Sequence, residues 1–178
     1  MTTQSEYSAR GNRAIWPQLI LLLVSLFATA ALAEEFTAKV VGITDGDTIR
    51  VLRDKDEIKI RLREIDCPES RQAFGTKAKQ ATSELAFGKI VTVRAKGKDR
   101  NGRPLADIIL PDGKSLNREL VRSGFPWWFK KYSKDESLGK LEAEAREAKR
   151  GLWSDEKAVP PWEWREKEKL KAKEKKAA

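Results

Sequence analysis

Residues 36–52 read FTAKVVGITDGDTIRVL. Two β-rich runs, Phe36 to Gly42 and Thr48 to Leu52, flank Asp45-Gly46, and Asp-Gly between such runs predicts a hairpin because both residue types accept the backbone of a tight turn. Working outward, the segment Glu57 to Ile65 alternates, with Ile58, Ile60 and Leu62 on one side and Lys59, Arg61 and Arg63 on the other. That pattern predicts a third strand carrying Arg61 on its wet face. Ile90 to Ala95 and Leu105 to Leu110 read as two further strands, separated by a polar loop rich in Lys, Arg and Gly.

Helical spacing takes over elsewhere. Phe74 to Phe87 places Ala78, Ala81, Leu85 and Ala86 on one stripe and stops at Gly88. Ser115 is placed to cap a short helix through Leu116, Leu120 and Val121, ended by Gly124. Ser133 and Glu136 have the capping-box spacing for a helix bearing Leu138, Leu141 and Ala145, closed by Lys149-Arg150-Gly151. Beyond Pro160-Pro161 the chain from Arg165 to Ala178 is almost wholly Glu, Lys and Ala, expected as a solvated helix or a disordered charged tail. Five short strands with helices between and after them predict an α+β, mainly β, fold: a five-stranded barrel of the OB type with about three packed helices, a fold that often binds nucleic acid.

The chain of 178 residues suits one domain with modest extensions, here 34–164. Before it, Arg10 and Arg13 precede an apolar run from Leu19 to Leu32, and Ala31-Leu32-Ala33 has the small-x-small form of a cleavage site. Residues 1–33 are therefore expected to be a signal peptide that sends the protein to the periplasm or the medium. The alternative is an uncleaved anchor through residues 14–33, the one segment expected to enter a membrane. Lys and Arg number 36 against 27 acids, a net charge of +9 that favours a polyanionic partner such as nucleic acid (DNA or RNA) or an anionic membrane surface, the alternative being a solvated basic surface. The single cysteine, Cys67, rules out an internal disulfide. With no histidine in the chain, a Ser-His-Asp triad, a His-ligated zinc and a histidine base are all excluded. Carboxylates, arginines and an oxygen-liganded metal remain.

Four segments each put acidic or cationic groups beside a turn: Thr44-Asp45-Gly46-Asp47-Thr48, Arg61-Leu62-Arg63-Glu64-Ile65-Asp66-Cys67-Pro68-Glu69, Phe74-Gly75-Thr76-Lys77-Ala78 and Asp99-Arg100-Asn101-Gly102-Arg103. Singly, Asp45 and Asp47 read as turn residues, Asp66 as a turn or cap before Pro68, and Glu69 as a surface or helix-start acid. In this order, however, the segments resemble the thermonuclease, or staphylococcal-type nuclease, family from about Phe36 to about Trp164. The resemblance implies the same barrel with three helices and a Ca²⁺-dependent endonuclease that leaves 3′-phosphorylated products.

By that resemblance Asp47 and Asp66 are calcium carboxylates, with the main-chain carbonyl of Cys67 as a further ligand and Asp45 orienting them. Two carboxylates in a loose loop site suit the larger hard cation. Glu69 matches the glutamate assigned as general base, while Arg61 and Arg103 match the arginines set against the scissile phosphate, where planar guanidinium groups engage two oxygens at once. Two departures stand out: Cys67 replaces a threonine, and Asn101 replaces an aromatic residue. Lys96 and Arg100 are candidates for holding phosphates in its place, and Tyr132 is a candidate for base contact. Trp127 and Trp128 fit packing between helices as well as base stacking, and Trp153, Trp162 and Trp164 are assigned to docking the C-terminus. No obligate protein partner is expected, and the protein is read as a monomer. The rival readings are a non-catalytic nucleic-acid-binding module of the same barrel and a membrane-attached envelope protein.

Overall fold

The computed structural model describes residues 34–177; the expected signal segment, 1–33, lies outside them. Five strands close a barrel in the order β1-β2-β3-β6-β5, with β1 (Glu34–Asp45), β2 (Thr48–Arg53), β3 (Asp56–Leu62), β5 (Ile90–Lys98) and β6 (Pro104–Ile109). The hairpin predicted at Asp45-Gly46 joins β1 to β2, in register at Ile43 with Ile49. Closure comes from β1 pairing with β5 and from the parallel contact of β3 with β6 at Arg61 and Leu105. Alternation turns one side of every strand inward: Val40, Ile49, Val51, Ile60, Leu62, Val91, Val93, Ala106 and Ile108 are all buried. Each such Ile or Leu contributes about 1.5–3 kcal/mol of burial.

The third run divides where one strand was expected. Glu64 takes a left-handed backbone, φ 66°, so β3 ends at Leu62 and Ile65–Asp66 forms a separate short strand, β4. Its antiparallel partner is β7 (Trp127–Trp128), which places Asp66 opposite Trp127. Buried Asn117 seals the seam where β3 and β6 diverge: its Nδ2 donates to the carbonyls of Arg63 and Ala106, and its Oδ1 accepts from the amide of Ile108.

Among the described residues, four helices accompany the barrel: α1 (Gly75–Ala86), α2 (Leu116–Ser123), α3 (Glu136–Glu147) and α4 (Pro161–Ala177), with a 3-10 turn at Gly151–Ser154. As expected, Ser115 caps α2, accepting from the Arg118 amide, and Gly124 ends it in the left-handed region at φ 81°. The cap of α3 differs from the capping box. Asp135 accepts from the Ser137 amide, while Ser133 stands two residues back and accepts from the Asp135 amide. Asp135 holds the position because Arg118 of α2 donates to its carboxylate at 3.1 Å, a tertiary contact that Ser133 lacks. Beyond Pro161 the chain is one continuous helix running through residue 165. None of the described helices is long and apolar enough to cross a membrane.

Candidate active site

The β1–β2 turn is packed tightly against the chain just beyond β4. A Cβ on Gly46 would lie 2.8 Å from both the Cys67 Sγ and the Ala78 Cβ, so only glycine fits. Thr82 of α1, fully buried, donates its hydroxyl to the Gly46 carbonyl at 2.6 Å. Inside the turn, Asp45 Oδ1 accepts from the Asp47 amide at 3.1 Å. These contacts aim the Asp47 side chain inward, where its Oδ2 accepts from the Cys67 amide at 2.7 Å. Two turns twenty residues apart thereby become one surface.

Asp66 completes a buried acid pair. Arg61 spans the two, with Nη1 2.8 Å from Asp47 Oδ1 and Nη2 2.6 Å from Asp66 Oδ1. Its side chain is only 18% exposed, so the position predicted to be wet faces away from the core yet is covered by the acids it bridges. Burial pushes the Asp47 carboxyl up to about 8; Arg61 and the Cys67 amide oppose the rise, and Asp45 and Asp66 add to it. Burial disfavours charge on Arg61 as well, but Asp47, Asp66 and Asp45 outweigh it and hold the guanidinium above its usual range. The Cys67 thiol is pushed up by burial and then by the same acids, so it stays protonated and offers no thiolate.

Glu69 stands at the rim, in a turn closed by Gln72, whose amide donates to the Glu69 carbonyl at 2.8 Å. A residue with no chemical signal in the sequence meets it there. Arg165 of α4 donates from Nη1 to Glu69 Oε1 at 2.7 Å and from Nη2 to Asp66 Oδ2 at 2.6 Å, with a further contact of Nη1 to Asp66 Oδ1 at 3.2 Å. Burial again disfavours its charge, but hydrogen bonds to Asp66 and Glu69 raise its pKa overall.

Arg103 is held from behind. Asp99 accepts from the Arg103 amide at 2.9 Å and from its Nε at 2.7 Å, and also from the Asn101 amide. Desolvation works the other way, but these hydrogen bonds keep the Asp99 carboxyl below its ordinary range. An outer nitrogen of Arg103 lies 3.5 Å from the Thr48 hydroxyl, which itself donates to Asp47.

The structure therefore joins Asp45, Asp47, Arg61, Asp66, Cys67 and Glu69 in one network and sets Arg103 at its edge. It does not draw in the other candidates: Lys96 and Arg100 are exposed on β5 and its following loop, and Tyr132 is 66% exposed with its ring edge on Phe129. Sequence reading missed Arg165 and Gln72, and it gave Asp99, though named in the fourth segment, no role. Of these, only Asp99 had a visible signal: it lies two and four residues before the amides from which it accepts. The aromatic segment packs largely on itself: Trp127 meets Trp153 and Trp162 edge-on, and Trp162 stacks on Phe129. A groove of about 920 Å³ beside it is lined by Trp127, Phe129, Lys130, Lys131, Arg146 and Trp162.

Among the described residues, no three acidic or cysteine side chains converge as a metal cluster. The expected donors are fewer, two carboxylates and a main-chain oxygen, and their chemistry fits a hard cation. They are all oxygens, with the thiol protonated and no imidazole in the chain.

Residues 59–155 match the family described as staphylococcal nuclease homologue. An uncharacterized endonuclease of Escherichia coli is 41% identical over 146 residues, covering 82% of this chain and 95% of its own length. A micrococcal nuclease of Shigella flexneri is 41% identical over 156 residues, covering 82% and 87%. An uncharacterized endonuclease of Haemophilus influenzae is 40% identical over 151 residues, 84% of each chain.

Proposed function

The chain belongs to the staphylococcal nuclease family, and from that membership we propose that it is a phosphodiester-hydrolysing endonuclease for DNA, and for RNA as a second substrate, that it depends on Ca²⁺ and that it is exported. The observation that carries the reading is the contiguity of the acid and arginine groups. Arg61 ties Asp47 to Asp66, and Glu69 stands one guanidinium away from Asp66.

Asp47 and Asp66, with the Cys67 carbonyl, are the residues to hold the cation. A divalent ion held there would supply positive charge and lower the pKa of bound water. Everything else falls to the chain's own groups. Glu69, at the solvent-facing rim, accepts the proton of a water attacking phosphorus in line. Arg103, its guanidinium aimed by Asp99, meets the negative charge that builds on the phosphate oxygens. Arg61, expected against the phosphate, instead turns its terminal nitrogens onto Asp47 and Asp66 and adds positive charge behind those carboxylates. As the attacking water's P–O bond forms, the opposite P–O5′ bond breaks; the 5′ oxygen leaves and takes a proton from solvent, and the phosphate stays on the 3′ side. Lys96, Arg100 and Tyr132, all exposed on the surface, are the proposed contacts along the strand.

Export rests on Arg10, Arg13, the apolar run Leu19–Leu32 and the Ala31-Leu32-Ala33 site. Incubating the protein with single-stranded DNA in Ca²⁺ and in a chelator, with end-group analysis of the products, tests the activity. Calcium-dependent cutting that leaves 3′-phosphates is expected. Cutting that is indifferent to the chelator refutes the cation dependence.

A further inference from the structure

The C-terminal helix α4 is fastened beside the acid cluster by its first turns. Trp162 stacks on Phe129 with ring centroids 5.4 Å apart and meets Trp127 edge-on at 5.7 Å, and Trp127 is the strand partner of Asp66. Gln72, in the turn that carries Glu69, donates to the Val159 carbonyl at 2.6 Å just before the helix. These contacts deliver Arg165 to the site with a forked grip on Asp66 and a third bond to Glu69. Past Arg165 the helix is mostly exposed and rich in Lys and Glu.

The grip falls on the atoms that the chemistry needs. Asp66 has its side chain fully buried; Oδ1 accepts from both Arg61 and Arg165, and Oδ2 from Arg165. A carboxylate oxygen has two acceptor directions, so Oδ1 is saturated and Oδ2 half used. Glu69 spends Oε1 on the same guanidinium, the group that would otherwise face water.

We propose that Arg165 is a residue of this site whose guanidinium competes with the divalent cation for Asp66, so that cation binding draws the start of α4 away from the carboxylates. The inference rests on the reading of Asp66 as a cation ligand. A planar guanidinium is a good stand-in for a dication at a carboxylate pair, since it brings charge and directed donors without the ion's demand for further oxygens. Displacing it leaves Glu69 free to accept a proton from water. Arg165 thus sets the apparent cation affinity, and it keeps the base occupied until the cation arrives.

The test is calorimetric titration of Ca²⁺ into the whole protein, its Arg165→Gln variant and an Asp66→Asn variant, together with hydrogen exchange of residues 161–177 in wild type with and without Ca²⁺. The expected results are binding about tenfold or more tighter in Arg165→Gln, the equivalent of losing one charge-assisted contact, and faster exchange of the α4 start when Ca²⁺ is added to wild type. Equal or weaker binding by Arg165→Gln, with binding abolished in Asp66→Asn, overturns the competition and leaves the cation site standing. If Asp66→Asn binds Ca²⁺ as wild type does, the cation reading of Asp66 fails and the competition fails with it.

Discussion

The main-chain amide of Cys67 donates to Asp47 at 2.7 Å. This bond ties the hairpin turn between β1 and β2 to the end of β4, and nearly every group proposed for chemistry is held to one of those two places. The carboxylate proposed as a cation ligand is also the acceptor that fastens the loops.

Asp47→Ala should therefore weaken the fold as well as the site. It leaves the buried Cys67 amide without its acceptor and Arg61 with one carboxylate instead of two. Urea denaturation should show a loss of about 1–3 kcal/mol, and calorimetry should show Ca²⁺ binding gone.

The raised pKa of Asp47 sets a pH dependence in cation-free protein. Its carboxyl moves from an ordinary 3.8 to about 8 on folding, chiefly through burial, so the folded state keeps a proton that the unfolded chain gives up. The contribution is full below pH 3.8 and is lost as pH rises through about 8. Denaturation midpoints in chelator should fall between about pH 5 and pH 8.5, and Asp47→Asn should flatten that slope. Cation binding, which requires the ionised form, should strengthen over the same window.

Gly46→Ala tests the close approach of the turn. The added methyl meets Cys67 and Ala78 at 2.8 Å, inside contact distance. Overpacking of this kind costs about 1–3 kcal/mol and shifts Asp47 with the turn, so both the thermal midpoint and cleavage should drop.

Asp99→Asn separates positioning from chemistry. Asp99 acts through Arg103, which it grips at the amide and at Nε. Loss of the charge should lower kcat about ten- to a hundredfold through misorientation, with little change in KM. Asp99→Glu should recover part of the loss, which a purely structural role would not predict.

Most of the barrel was legible because strand alternation and the Asp45-Gly46 turn are local signals, and Ser115 and Gly124 cap α2 with no help from elsewhere. The errors lie where distant contacts decide. Nothing in Arg63-Glu64 announces a left-handed residue; the break at Glu64 is stabilised by pairing of β4 with Trp127 and Trp128, some sixty residues on. Asp135 displaces Ser133 as the cap of α3 through Arg118 of another helix. The candidate acids and arginines stood out because turn-linked segments occur in a recognisable order. Arg165 did not, since it stands among many lysines and glutamates, and the distant contacts of Trp162 with Phe129 and Trp127 and of Gln72 with Val159 set it apart.

The most direct test of the nuclease mechanism is the single-turnover rate of single-stranded DNA cleavage at saturating Ca²⁺ for wild type, Glu69→Gln and Arg103→Ala, with folding of each checked by circular dichroism. The mechanism predicts calcium-dependent cutting by wild type and a loss of about 10²–10³-fold in each variant. Variants that cut at the wild-type rate, or a folded wild type that binds the strand and leaves it intact, would contradict it.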